Sequence, residues 1–294
     1  MKKLLLVVVV LAAVVWWLTG PNGLPATAVP AHEPDLANGE RLFHAGGCAS
    51  CHGRLDEGKP QRDIMAGGLA LSSPVGIFQV PNISSDPEQV IGCWSELDFL
   101  NAMQRGLAPD GSHYYPAFPY TSYVRMTVPD LLDLKAFLDT LPASPNVVPP
   151  SELDFPFNVR RSLGLWKRLF LDDSPVASLA AGDEQVERGR YLVEGPGHCG
   201  ECHTPRNVAQ ALDRGRWLIG APNPDGEGRV PGITPARPSF ADWSADDIAY
   251  YLEAGVDPEF DVVGGSMVAV QENLSRLPAE DREAIAAYLK AIQP

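Results

Sequence analysis

The chain has 294 residues, 45% of them hydrophobic and 20% charged, with 37 acidic against 23 basic side chains and a formal net charge of -14. A chain of this length can bury two cores of ordinary domain size, and so negative a charge excludes a nucleic-acid binder, which needs a basic footprint. The imbalance is uneven: residues 171–294 hold 10 Lys and Arg against 21 Asp and Glu, an acidic surface that favours a basic docking partner.

Lys2 and Lys3 precede an apolar run from Leu4 to Leu18 that closes on Trp16 and Trp17, next to Thr19, Gly20 and Pro21. Residues 1–28 therefore read as a membrane-targeting helix, with the basic start held in the cytoplasm and the remainder sent to the periplasmic side of a bacterial inner membrane. The 15 apolar residues fall between a signal h-region and a full spanning helix. Ala26, Thr27 and Ala28 have the small-x-small form of a cleavage site, but they lie ten residues beyond Leu18. That distance and the Trp pair favour a retained anchor in the inner membrane; the alternative is cleavage near Ala28 and a soluble periplasmic protein.

Cys48, Cys51 and His52, then Cys199, Cys202 and His203, form two CxxCH motifs. Two thiols at this spacing can each make a thioether to one vinyl group of a porphyrin, and the adjacent imidazole is placed beneath the iron. A redox dithiol or a zinc half-site would not need the trailing His twice, so the motifs imply two haem c groups. Cys93 is the odd fifth cysteine, expected to be a small buried thiol.

Around the motifs the chain repeats itself after about 150 residues. Asn38-Gly39-Glu40-Arg41-Leu42 corresponds to Arg188-Gly189-Arg190-Tyr191-Leu192, and Pro81-Asn82-Ile83-Ser84 to Pro231-Gly232-Ile233-Thr234. Ser95 with Asp98 and Ser244 with Asp247 have the form of helix N-caps, predicting helices that run to Gly106 and Gly255. A final helix with Pro129 or Pro278 in its first turn closes each unit, with apolar positions Leu131, Leu134, Phe137 and Leu138 or Ile285, Tyr288, Leu289 and Ile292 at helical spacing. No alternating strand pattern stands out. The expected fold is all-α, two tandem class I cytochrome c-like domains at 33–141 and 183–294, preceded by the targeting helix and joined by a linker at 142–182.

That linker is Pro-rich over 142–156 and then basic and amphipathic, with Arg160, Arg161, Lys167 and Arg168 set among Leu163, Leu165, Trp166, Leu169 and Phe170. It predicts an interdomain helix whose cations meet the acidic second half or the haem propionates, with a membrane-surface or partner-docking role as the alternative.

A haem that only transfers electrons fills its sixth site, commonly with methionine. Met267, after Gly264, Gly265 and Ser266, is the candidate axial ligand of the second iron. Aligning the final helices puts Phe118 opposite Met267, and Phe118 cannot bind iron; Met126, eight residues on, is the candidate for the first. Met103 reads as packing within its helix and Met65 as a loop residue. His113 is the rival ligand, or else a hydrogen-bonding surface group.

The paired CxxCH units, the stretch Tyr115-Pro116-Ala117-Phe118-Pro119-Tyr120 and the run Gly197-His198-Cys199-Gly200-Glu201-Cys202-His203-Thr204-Pro205-Arg206-Asn207 resemble the membrane-associated cytochrome c subunits of bacterial alcohol and gluconate dehydrogenase complexes. The resemblance implies an electron-transfer protein and not an enzyme in itself. Its donor would be a dehydrogenase catalytic subunit and its acceptor a quinone, cytochrome or oxidase. Many members have Met where this chain has Phe118, and often three haems where this chain has two motifs. The competing reading is a dihaem enzyme, of peroxidase or thiosulfate-oxidising type, with one open or unusually ligated iron.

Overall fold

The computed structural model describes residues 1–292 apart from 89, 180, 181, 225 and 227. Helix α1 (Lys2–Leu18) is apolar on every side and buries none of its residues. Among the described residues no helix is long and apolar enough to cross a membrane. The first half follows with α2 (Leu36–Ala45), α3 (Cys48–His52), α4 (Glu96–Arg105), α5 (Tyr120–Tyr123) and α6 (Val128–Thr140), and then a connecting helix, α7 (Leu163–Phe170). The second half repeats the plan with α8 (Glu184–Glu194), α9 (Gly200–His203), α10 (Pro238–Ala241), α11 (Ala245–Ala254), α12 (Met267–Leu274) and α13 (Ala279–Ala291).

Local sequence explains the matching ends of α4 and α11. Ser95 and Ser244 each accept the N3 amide while Asp98 and Asp247 return a bond to the cap, two complete capping boxes. Gly106 and Gly255 then stop the helices at φ 56 and φ 71, left-handed angles that a side chain would strain. Each half has its own core: Leu42, Phe99, Leu100, Leu131 and Leu134 in the first, Leu192, Ile248, Leu252, Ile285 and Tyr288 in the second. In both, the first and last helices cross at a glycine. A Cβ on Gly39 would strike the backbone of Asp133 in α6, and one on Gly189 the backbone of Ala284 in α13.

The molecule is helix-rich, and among the described residues it adds three small antiparallel sheets: β1 (Leu55–Asp56) with β2 (Lys59–Pro60), β3 (Ala70–Ser73) with β4 (Gly76–Gln79) and β5 (Glu152–Leu153), and β6 (Gly220–Pro222) with β7 (Arg229–Pro231). With two to four residues apiece, these strands are too short to print an alternating pattern. Part of the Pro-rich linker supplies β5, which pairs with β4. Pro278 serves as the N-cap of α13, one position before its first turn. Cys93 is exposed where burial was expected, because it ends a short 3-10 turn (Val90–Cys93) at the surface.

The basic linker also departs from expectation. Arg161 and Arg168 meet the C-terminal end of α1 rather than acidic side chains of the second half. Arg161 donates to the carbonyl of Trp16 at 2.7 Å and lies 3.5 Å over its ring; Arg168 donates to Leu18 O at 2.7 Å. Cations at a helix C-terminus satisfy its orphan carbonyls and oppose its dipole. Lys167 does the same for α4 through Arg105 O (2.6 Å) and Gly106 O (3.0 Å).

Because the α8–α13 crossing has no room for a methyl group, Gly189→Ala is expected to destabilise the protein by about 1–3 kcal/mol. Chemical denaturation checks this; an unchanged midpoint would mean that the crossing does not hold the second half together.

Candidate functional site

Each CxxCH segment sits on a one-turn helix launched from a tight bend. Gly47 at φ 57 precedes α3, and His198 at φ 38 precedes Cys199 and α9. Cys51 and Cys202 are exposed, whereas Cys48 and Cys199 are half-buried beside them.

The two histidines share one further contact. His52 Nδ1 bonds to Pro81 O at 2.8 Å and His203 Nδ1 to Pro231 O at 2.7 Å. A carbonyl only accepts, so Nδ1 carries the proton in both rings and Nε2 keeps its lone pair. Burial holds both imidazoles below the usual histidine pKa against the opposing pull of the proline carbonyl, and both rings therefore stay neutral. The short sheets bring the prolines back to the histidines. In the first half β4 leads directly to Val80, whose amide donates to Leu69 O, and on to Pro81. In the second, Pro231 is the last residue of β7.

This donor set fits a c-type haem: paired thiols, and an imidazole whose free nitrogen is oriented by an outer hydrogen bond. It does not fit the alternatives. Burial pushes the Cys48 and Cys199 thiols up to about 12, far from the thiolate that a redox dithiol uses. Among the described residues no three His, Cys, Asp or Glu side chains converge as metal donors.

Met126 is buried in the first core between α5 and α6, its amide bonded to Tyr123 O and its carbonyl to Gln104 Nε2. Met267 opens α12 and lies half-buried against the second core. Met65 and Met103 are also buried in the first core. Phe118 packs against the rings of Tyr114, Tyr120 and Tyr123. His113 is neither a surface group nor available to iron through Nε2: it is 3% exposed and that nitrogen bonds to Thr19 O at 3.0 Å, beside the stem of α1.

The two attachment segments face each other through reciprocal contacts. His198 Nε2 lies 3.2 Å from Gly46 O, so the bends before the two CxxCH helices touch. Ser50, inside the first motif, accepts from Asn273 Nδ2 of α12 at 2.7 Å; its counterpart Glu201, inside the second, accepts from Thr121 Oγ1 of α5 at 2.7 Å. Arg41 of α2 reaches Asp281 of α13 at 3.6 Å, and its counterpart Tyr191 of α8 bonds to Asp130 of α6. Each half thus sets its cysteine-bearing helix on the segment that leads the other half into its final helix, as in a two-fold interface. The functional residues missed from the sequence are the two prolines, whose carbonyls act, and Asn273. The recurrence of Pro81 and Pro231 was the available signal for the first; a backbone oxygen has no residue code of its own.

Asn273 is 1% exposed and also accepts from Arg62 Nη1 at 2.5 Å. Asn273→Ala removes the donor to Ser50 and leaves Arg62 with Glu272 alone, and is expected to cost about 1–3 kcal/mol. Equilibrium unfolding with no change in stability would remove this contact from the inter-half interface.

Residues 36–142 match the cytochrome c family. The chain is 49% identical to a "Diheme cytochrome c-type" protein of Cereibacter sphaeroides, over 94% of this chain and 92% of that one. It is 36% identical to the fructose dehydrogenase cytochrome subunit of Gluconobacter japonicus, over 90% of this chain and 54% of that one. With the gluconate 2-dehydrogenase cytochrome c subunit of Pantoea cypripedii the identity is 34%, over 89% and 60%. The chain therefore spans little more than half the length of these two dehydrogenase subunits.

Proposed function

The chain belongs to the cytochrome c family, and we propose that it is a dihaem electron relay of a bacterial respiratory complex, built as two tandem cytochrome c domains at 33–141 and 183–294. Cys48, Cys51 and His52 hold one haem c and Cys199, Cys202 and His203 the other, with Met126 and Met267 as the sixth ligands. The observation that carries this reading is the identical imidazole-to-proline bond at both motifs, 2.8 Å and 2.7 Å. Haem c, when bound, supplies one-electron redox chemistry. The chain's own part is to orient each imidazole, keep its Nε2 unprotonated and bring the two attachment segments together.

A dehydrogenase catalytic subunit is the proposed donor, as the names of the relatives suggest, and a quinone, cytochrome or oxidase the acceptor. The protein works on the periplasmic side of the inner membrane, held there by residues 1–28. In support of retention over cleavage near Ala28, the body binds the last turn of α1: Trp16, Leu18 and Thr19 give their carbonyls to Arg161, Arg168 and His113. A 17-residue helix reaches ~25 Å, short of a ~30 Å hydrocarbon core, which local thinning of the bilayer and upward reach of Lys2 and Lys3 would accommodate.

Two experiments test the reading. Acid-acetone extraction should leave both haems on the chain, and replacing Cys48 and Cys51 by Ala should halve the haem content; free haem in the extract, or one haem per native chain, contradicts it. Met126→Ala should abolish one of two sulfur-to-iron bands at the red end of the oxidised spectrum and lower one potential. If both bands survive, another methionine and not Met126 ligates the first iron; a single band in the native oxidised protein, with carbon monoxide binding on reduction, would instead favour an open iron.

A further inference from the structure

The acidic protein carries a concentrated patch of positive charge where α1 meets the body. Arg105, Arg160, Arg161, Lys167 and Arg168 surround the stem at 19–22, and among the described residues none of the five pairs with a carboxylate. This holds in a chain whose acidic side chains outnumber the basic ones 37 to 23. Simple solubility does not call for cations without carboxylate partners gathered in one place.

Two clefts flank the stem. The first, of about 310 Å³, is lined by Arg105, His113, Lys167 and Arg168 beside Gly20 and Asn22. The second, of about 320 Å³, is lined by Arg160, Arg161 and His113 beside Pro21, with Asp110 as its carboxylate. Two buried polar atoms in this region lack a hydrogen-bond partner: Nε of Arg161, a donor, and Nδ1 of His113, which accepts when Nε2 holds the proton for Thr19 O. His113 itself is 3% exposed. A phosphate oxygen suits the first atom and a headgroup hydroxyl the second.

The place of this patch selects the ligand. Directly above it rises α1, exposed and apolar all round, with Trp16 and Trp17 at its base under the guanidinium groups of Arg161 and Arg168. Aromatic rings and cations at the foot of an apolar helix lie at the depth of lipid headgroups. We propose that the clefts around residues 19–22 bind the phosphate and hydroxyl headgroup of an anionic phospholipid, which supplies the missing counter-charge and sets the orientation of the body on the membrane. The inference rests on the proposed membrane anchorage.

The test uses the full-length holoprotein and flotation with two kinds of vesicle, phosphatidylcholine alone and equal parts phosphatidylcholine and phosphatidylglycerol. The wild type should bind the mixed vesicles more tightly despite its charge of -14. Arg105 and Arg160 make no side-chain hydrogen bond or ion pair among the described residues, so the double variant Arg105→Gln, Arg160→Gln should fold normally. It should lose about fivefold of that preference for each cation removed, with binding to phosphatidylcholine unchanged. Equal wild-type affinity for the two vesicles, or a preference untouched in the double variant, overturns the headgroup site. Inorganic phosphate at matched ionic strength should leave the preference intact; if it erases it, the site takes free phosphate and the lipid assignment fails. A wild type that ignores phosphatidylcholine vesicles but binds mixed ones strikes at the apolar anchor and leaves the headgroup site standing.

Discussion

An imidazole hydrogen bond to a proline carbonyl, made once in each half, is the constraint on which the rest of this molecule is built. As the proposed iron ligands, His52 and His203 must present one unprotonated nitrogen in a fixed direction, and an acceptor-only oxygen at the other nitrogen achieves both ends at once. To bring Pro81 and Pro231 to that position, 28 or 29 residues after the histidine, the chain must fold back on itself. The hairpins β3–β4 and β6–β7 are that return path. The glycine-tight crossings of α2 on α6 and α8 on α13 then close a core around each motif.

Duplication alone would give two independent copies, and the contacts between the halves show something more specific. Equivalent positions serve equivalent roles across the interface: Ser50 and Glu201 each accept from the opposite half, and Arg41 and Tyr191 each reach an acidic residue near the start of the opposite final helix. The sequences at these positions differ, so the symmetry is kept by geometry rather than by side-chain identity. A strap after α7 adds to the lock. Arg125 of the first half donates to Asp172 O and Ser174 O, and Arg214 of the second half donates to Ser174 O and Pro175 O.

Much of this was legible in the residues because it is encoded locally. The CxxCH pairs, the S-x-x-D caps before α4 and α11, and the apolar spacing of α6 and α13 each depend on neighbours within a few positions. The features that escaped depend on distant partners. The sheets are too short to show a period; a proline carbonyl is silent in sequence; and the solvent exposure of Cys93 follows from where its turn sits. Arg161 and Arg168 looked like partners for acidic side chains because opposite charge is the obvious expectation. The orphan carbonyls of α1, more than 140 residues earlier, took them instead. His113 reads in sequence as a rival ligand or a surface group for the same reason: its partner, Thr19, is 94 positions away.

If the two CxxCH segments each hold the proposed haem and face each other as these contacts require, an electron placed on one haem should reach the other inside the same molecule. Rapid photoreduction of a small fraction of the oxidised protein, followed by the absorbance of the two haems, measures this directly. A first-order equilibration is expected, at a rate that does not change with protein concentration. A rate proportional to protein concentration would mean that the electron passes between molecules, and would contradict an internal relay.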